Sequence, residues 1–440
     1  VLRLVTPVAG VARDPGALVT ALARLTVAAV AATLDTTSAG LAATLSPPPS
    51  YEAYAETSRA WESYYRGDSA DAFRRVRHAI ALDSSYAPPL LMQAYMLAWY
   101  DRYEEADSTL KRVHSLRLRL TPVETAAFHV LEADVAGDLG ARLIAAREMM
   151  RLAPASTEAA TLVAGSALRL GRNREVLSAL GRVDPDRGLL LFLPNYWSMS
   201  AQALHNLGRY REAAASAHRG LRQSPADWGL WRALVGALAA EGDYDAALAA
   251  ARERVPGDPF PAYNAAWFAS IAAGEFRGHD HERLAVHLLD SLADHPFPLS
   301  SDSGQMNYDR VLRGEIFYQA GRWAAADSVL RLLESHFKHE VWHAGRLATV
   351  AARVGRPAEA ERMSAELRDL PAGYLHGRQT FWRAHIAAAL GQREAAVLLL
   401  RDAYAQGYPM NEDYDLMPHA DRDFAELLHD PAFLGVMKRE

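Results

Sequence analysis

Residues 195–225 read NYWSMSAQALHNLGRYREAAASAHRGLRQSP. Before Gly208, the residues Trp197, Ala201 and Leu204 recur at three and four, the spacing of one helix face. After it, Ala213, Ala217 and Leu221 do the same. Gly208 turns the chain through positive φ at low steric cost. Ala213, five residues on, lets the second helix lie close to the first, and Ala201, seven residues before the turn, is the other side of that contact. Ser224-Pro225 stops the pair, because proline cannot continue a helix and restricts the residue before it. The stretch predicts two antiparallel helices.

The same register returns along the chain. It reads Gly67-Asp68 with Ala72, Gly242-Asp243 with Ala247, Gly321-Arg322 with Ala326, Gly355-Arg356 with Ala360, and Gly391-Gln392 with Ala396. Asp101-Arg102 with Ala106 is the unit without its glycine, and Gly137 and Gly171 mark turns without the alanine. Small residues stand seven before the turn at Ala60, Ala94, Ala164, Gly314, Ala348 and Ala384. From 67 to 242 the steps are 34, 36, 34, 37 and 34 residues, and from 321 to 391 they are 34 and 36. A fixed period of this size signals a repeat array and not a compact enzyme domain. Between 242 and 321 the register slips. There Gly274-Glu275-Phe276 reads as a turn lengthened by residues 277–281, followed by a second helix over 282–295 and a polar loop over 296–304.

The ends differ from the array. Residues 1–5 alternate as a short strand does, and Asp14-Pro15 opens a helix running to about Leu34, so residues 1–46 read as the remnant of an upstream α/β domain. The apolar stretch 17–34 carries Arg24 at its centre and reads as a buried or amphipathic helix, with no membrane span expected in the chain. Residues 47–50 form a Pro-rich linker. The array then occupies 51–295 and 296–407, with a possible joint between the two parts, and residues 408–440 form a capping segment. A net charge of -6 with both signs interspersed gives no case for nucleic acid. The absence of cysteine excludes disulfides, thiolate metal sites and cysteine nucleophiles.

The turn glycine, the alanine five on, the small residue seven before, the closing proline and the 34-residue step together resemble the tetratricopeptide repeat over residues 51–407. The aromatics that family favours are present before the turn as Trp197, Trp231 and Tyr263, and after it as Tyr103, Tyr210, Tyr244, Phe276 and Trp323. The resemblance implies an all-α, right-handed superhelical solenoid of helical hairpins, with a short α/β stub at the N-terminus. It implies a non-catalytic scaffold or sensor that binds a protein or peptide in a concave groove lined by the first helices. The chain also resembles the C-terminal tetratricopeptide region of bacterial multidomain signalling proteins, in which a serine/threonine kinase or transcriptional regulator domain precedes the array. That likeness implies signal transduction, a covalently preceding domain, and a bacterial location, either cytoplasmic or as the extracytoplasmic part of a membrane-anchored regulator.

Positions ten, six and three before each turn would face the groove. The expected contact residues are Asn195, Ser198, Gln202, His205, Arg232, Asn264, Tyr318 and His385, with Trp61, Tyr64 and Tyr95 at the corresponding places in the first hairpins. No cofactor and no metal site are expected. One motif argues otherwise: His339-Glu340-Val341-Trp342-His343 fits H-E-x-x-H, whose histidines on a helix can share a zinc ion with the glutamate as general base. It falls in the register of the Gly355 hairpin, where packing explains it, so a zinc-dependent hydrolase is the alternative reading. His279-Asp280-His281 with His287 is read as a set of exposed loop histidines.

Overall fold

The turn glycines decide the architecture. In a computed structural model of the chain, the structure describes residues 45, 46, 48 and 50–437 except 116–119, 187–194, 254, 372 and 411–417, together with 19, 22, 23, 25–27, 29 and 30. The eight turn glycines of the regular register, from Gly67 to Gly391, take positive φ, Gly274 does not, and Asp101 takes the same left-handed conformation at φ 56°. At nine turns the following residue's N–H reaches back five residues to a helix carbonyl, as Asp68 does to Ser63 O at 2.9 Å and Arg209 to Leu204 O at 2.9 Å. This is the Schellman closure, which satisfies carbonyls the helix end would otherwise leave bare. Where aspartate follows the glycine it also opens the next helix. Asp68, Asp138 and Asp243 accept from the amides of Asp71, Ala141 and Ala246 at 2.8–3.0 Å. Two adjacent residues thus end one helix and start the next.

The hairpins form two compact units, residues 1–167 with 175–196, and 168–174 with 197–440. The first contains α1 (Tyr51–Tyr65), α2 (Ser69–Leu82), α3 (Ala87–Trp99), α4 (Tyr103–Ser115), α5 (Pro122–Ala136) and α6 (Leu139–Leu152). Helices α7 (Thr157–Arg169), α8 (Asn173–Leu180) and α9 (Asn195–Asn206) follow. The second unit continues with α10 (Tyr210–Gln223), α11 (Trp228–Ala240), α12 (Tyr244–Arg252), α13 (Pro261–Gly278), α14 (Glu282–Asp294), α15 (Ser303–Gln319) and α16 (Trp323–Arg331). It ends with α17 (Val341–Arg353), α18 (Pro357–Arg368), α19 (Arg378–Ala389), α20 (Arg393–Ala405), a 3-10 turn (Arg422–Leu427) and α21 (Pro431–Met437). The fold is an all-α array of tetratricopeptide-like hairpins. No strand occurs among the described residues, and the described part of 19–30 is helical, so the expected α/β stub is not supported. The expected strand at 1–5 lies outside the described residues. No described helix is long and apolar enough to cross a membrane.

Packing follows the small residues. Ala72, Ala106, Ala213, Ala247, Ala326, Ala360 and Ala396 are all fully buried, as are their partners Ala60, Ala94, Ala164, Ala201, Ala348 and Ala384. The one glycine in that set shows why size matters: a Cβ on Gly314 would stand 2.7 Å from Leu330 Cδ2 of α16. The junction before α1 is tied down at both ends. Ser50 Oγ accepts from Ala53 N at 3.1 Å, and Ser46 donates through N and Oγ to the Glu124 carboxylate at 2.8 and 2.6 Å.

One element departs from the expected pattern. Helix α13 runs through Gly274 and does not turn there; the turn comes at Asp280, at φ 64°, with His281 N bonded to Phe276 O at 2.8 Å. Ala285 and Ala273, five after and seven before this residue, are fully buried. The hairpin is therefore regular, with aspartate in the glycine's place as at Asp101. Its first helix is longer, which carries Glu275, Arg277 and His279 beyond the point where the sequence reading ended the helix.

Candidate functional site

The expected groove residues divide into three groups. Asn195 is exposed, and Ser198, Gln202 and Arg232 are half-buried. Asn264 is buried and donates to Asp258 Oδ1 at 2.7 Å, which also accepts from Phe260 N. It closes the loop that enters α13, so it is not a contact residue. Tyr318 and His385 are also buried, because the chain's own C-terminal segment lies over them. In the first unit Trp61, Tyr64 and Tyr95 do come together, joined by Tyr65, with ring centroids 5.5–5.9 Å apart. Burial pushes the Tyr64 and Tyr65 phenols well above their ordinary range.

The C-terminal segment is held by inward side chains of successive first helices. Asp423, fully buried, receives Arg346 Nη1 at 3.1 Å and Arg353 Nη2 at 3.2 Å from α17. It also receives His385 Nδ1 at 3.0 Å from α19 and the Tyr318 hydroxyl from α15. Asp421 lies 3.3 Å from Arg346 Nη2, and Glu315 lies 2.9 Å from Arg346 Nε. The Arg346 guanidinium stacks 4.4 Å from the Tyr318 ring and 5.0 Å from Trp382. Further back, Arg422 donates to Gln319 O at 2.7 Å, and Arg277 to Gln319 Oε1 at 2.9 Å. Phe424, Leu427 and Phe433 bury themselves against α19 and α20.

The electrostatics of this network are closed. Burial pushes the Asp423 carboxyl up, but His385 and the two guanidiniums outweigh it and hold it well below the usual range. Burial likewise opposes the charge on Arg346, and the three carboxylates restore it. Glu315 is pushed up by burial. His385, Asp421 and Asp423 converge as a metal site would, but both carboxylates are already paired with guanidiniums, Asp421 with Arg346 and Asp423 with Arg346 and Arg353.

A second cluster lies at the other end of the same segment. His205 of α9, Glu275 of α13, His279 and His419 bring one ligand atom each to within 4.8 Å of one another. Glu275 Oε2 is 3.2 Å from His205 Nε2, 3.2 Å from His279 Nε2 and 3.3 Å from His419 Nε2. Burial pushes the Glu275 carboxyl up, and His205 and His419 more than reverse it, holding it well below the ordinary value. His279 is therefore half-buried and engaged, not an exposed loop histidine as the sequence suggested; His287 is exposed and outside the cluster. The sequence pairs 205, 275, 279 and 419 by no local spacing. The only available signal was the displaced turn at Asp280, which puts Glu275 and His279 one helical turn apart at the end of a first helix.

The H-E-x-x-H geometry is not formed. Helix α17 begins at Val341 with Glu340 as its extended N-cap, so His339 precedes the helix and is exposed. His343 points the other way, buried, with Nε2 3.2 Å from Leu330 O. Neither histidine belongs to a group of three candidate ligands among the described residues.

No protein-family model matches the chain, and no curated protein matches it. The chain is similar to solved structures at low identity. One is a tetratricopeptide repeat protein from Parabacteroides merdae, 12% identical with TM-score 0.29, covering 72% of this chain and 98% of that one. Another is the human IFIT1 dimer with m7Gppp-AAAA, 13% identical with TM-score 0.38, covering 80% and 77%. A third is the P58(IPK) TPR domain, 16% identical with TM-score 0.25, covering 86% and 88%. What places this chain among tetratricopeptide-like arrays is its own repeat geometry: ten left-handed turns, each closing a helical hairpin.

Proposed function

We propose that the chain is a non-catalytic scaffold that binds a protein or peptide partner through the inward side chains of its first helices. The observation that carries this reading is the C-terminal segment itself. Residues 419–424 are gripped by α13, α15, α17 and α19 through carboxylate, guanidinium, imidazole, amide and phenol groups. A wall that holds an acidic, aromatic-tipped segment of its own chain has the chemistry to hold one from another protein. Ser198, Gln202 and Arg232 hold the corresponding register positions on α9 and α11 and are half-buried. They are the residues we assign to the partner. A sensory role beneath an upstream kinase or regulator domain is supported by the proline-rich junction and the closing segment of the sequence.

Selection of displayed random peptides on the immobilised full chain tests the reading. Peptides should be enriched, and Arg232→Glu should weaken them about tenfold, or about 1.4 kcal/mol, with far-UV circular dichroism unchanged. Failure to enrich any peptide, or affinity indifferent to Arg232→Glu, removes this surface from the function.

A further inference from the structure

We propose that His205, Glu275, His279 and His419 form a zinc site that fastens the C-terminal segment to helices α9 and α13. The proposal stands on distances, and it is independent of whether a partner binds elsewhere. Three imidazole Nε2 atoms stand 3.2, 3.2 and 3.3 Å from one carboxylate oxygen. Zinc bound by nitrogen and oxygen at about 2.0–2.1 Å in a tetrahedron gives ligand–ligand edges of about 3.3–3.4 Å. Charge-assisted hydrogen bonds between imidazolium and carboxylate would close to about 2.7–2.9 Å. The observed separations fit the first arrangement and are long for the second.

Hydrogen bonding alone also leaves a remainder. His279 and His419 engage Glu275 Oε2, and one carboxylate oxygen has about two lone-pair sites to offer. His205 Nε2 is buried beside the same oxygen and makes no aligned hydrogen bond. A cation at the centre would use all four lone pairs at once. The imidazole rings are arranged for it, nitrogen atoms inward and centroids 5.5–6.3 Å apart. An outer contact is in place too: the Tyr210 hydroxyl lies 3.2 Å from His279 Nδ1, where with zinc bound it would accept the Nδ1 proton and leave Nε2 as the ligand. The four side chains are 10–19% exposed, largely shielded from bulk water. Four protein ligands and no open position make the site structural and not catalytic.

The test uses the full chain stripped with a chelator and titrated with Zn2+ alone by calorimetry. One ion per chain should bind with a dissociation constant below about 1 μM, and the unfolding midpoint should rise by at least about 3 °C. Co2+ in its place should give visible bands of tetrahedral intensity. Glu275→Gln and His419→Ala should each weaken zinc at least a hundredfold, while His339→Ala, an exposed histidine outside the cluster, should leave it unchanged. The proposal is overturned by the absence of a stoichiometric ion in the unaltered chain. It is equally overturned by weak octahedral Co2+ bands, or by zinc binding that survives His419→Ala in a protein whose circular dichroism is intact.

Discussion

Replacing Asp423 by alanine should release the C-terminal segment while the hairpins stay folded. The side chain is fully buried and takes hydrogen bonds or ion pairs from Arg346, Arg353, His385 and Tyr318. Removing one member of a buried pair costs about 3–5 kcal/mol, because the other charge is left without compensation. Arg346 would keep Glu315 at 2.9 Å and Asp421 at 3.3 Å, which puts the loss at the lower end, about 3 kcal/mol. That raises the opening equilibrium of residues 419–428 about a hundredfold. Because each hairpin is supported mainly by its neighbours, the loss should be local. Hydrogen exchange of the intact protein reads it directly: faster exchange over 419–428, with α10 and α11 unchanged. Acid should act on the unaltered chain in the same direction. The Asp423 carboxyl is depressed in the folded state, so its contribution is complete above the unfolded value of 3.8 and disappears as pH falls below it. The variant should lack that response. A change in exchange smaller than about threefold in Asp423→Ala would refute the idea that this network holds the segment.

Two further outcomes are expected. Asp280→Gly should stabilise the second unit by about 0.5–1 kcal/mol in urea unfolding, because a residue with a Cβ is held at φ 64° where glycine is unstrained; a destabilised variant would mean that Asp280 has a role beyond the turn. His343 is buried and neutral, and burial lowers its pKa below 6.5, so the unfolded chain takes up the proton first. Stability should therefore fall as pH drops below about 6.5 toward the folded value, and His343→Leu should flatten that part of the curve measured by thermal unfolding; an unchanged slope would place the pH sensitivity elsewhere.

The hairpin array was legible in the sequence because its signals are local. A turn glycine, an alanine five on and a small residue seven before are all fixed by one helix crossing, and each fell where expected. The turn at Asp280 was missed for a physical reason: Gly274 looked like the turn residue, while the left-handed residue was an aspartate, as it is at Asp101. Reading Ala273 and Ala285 as the flanking small pair would have found it. The site was much less legible. Asn264, Tyr318 and His385 were placed on the inner face, but periodicity says which way a side chain points and not what covers it. Tyr318 and His385 are covered by Asp423, 105 and 38 positions away on a segment with no repeat of its own, and Asn264 is taken up by Asp258 in the loop before its helix. H-E-x-x-H misled for the opposite reason, since a pattern that requires a helix fell across the start of one.

Neighbouring hairpin turns are 34–41 residues apart, whereas the Tyr318–Asp423 contact spans 105 residues. On the ribosome the hairpins can therefore close one after another as they emerge, while their inner wall waits. At about 5–20 residues per second, Asp423 arrives about 5–20 s after Tyr318. Arg346 and Arg353 precede Asp423 by 77 and 70 residues, so for the later part of that interval the nascent array carries Arg353 without its aspartate and Arg346 with Glu315 alone, a cationic strip that a passing acidic chain can occupy first.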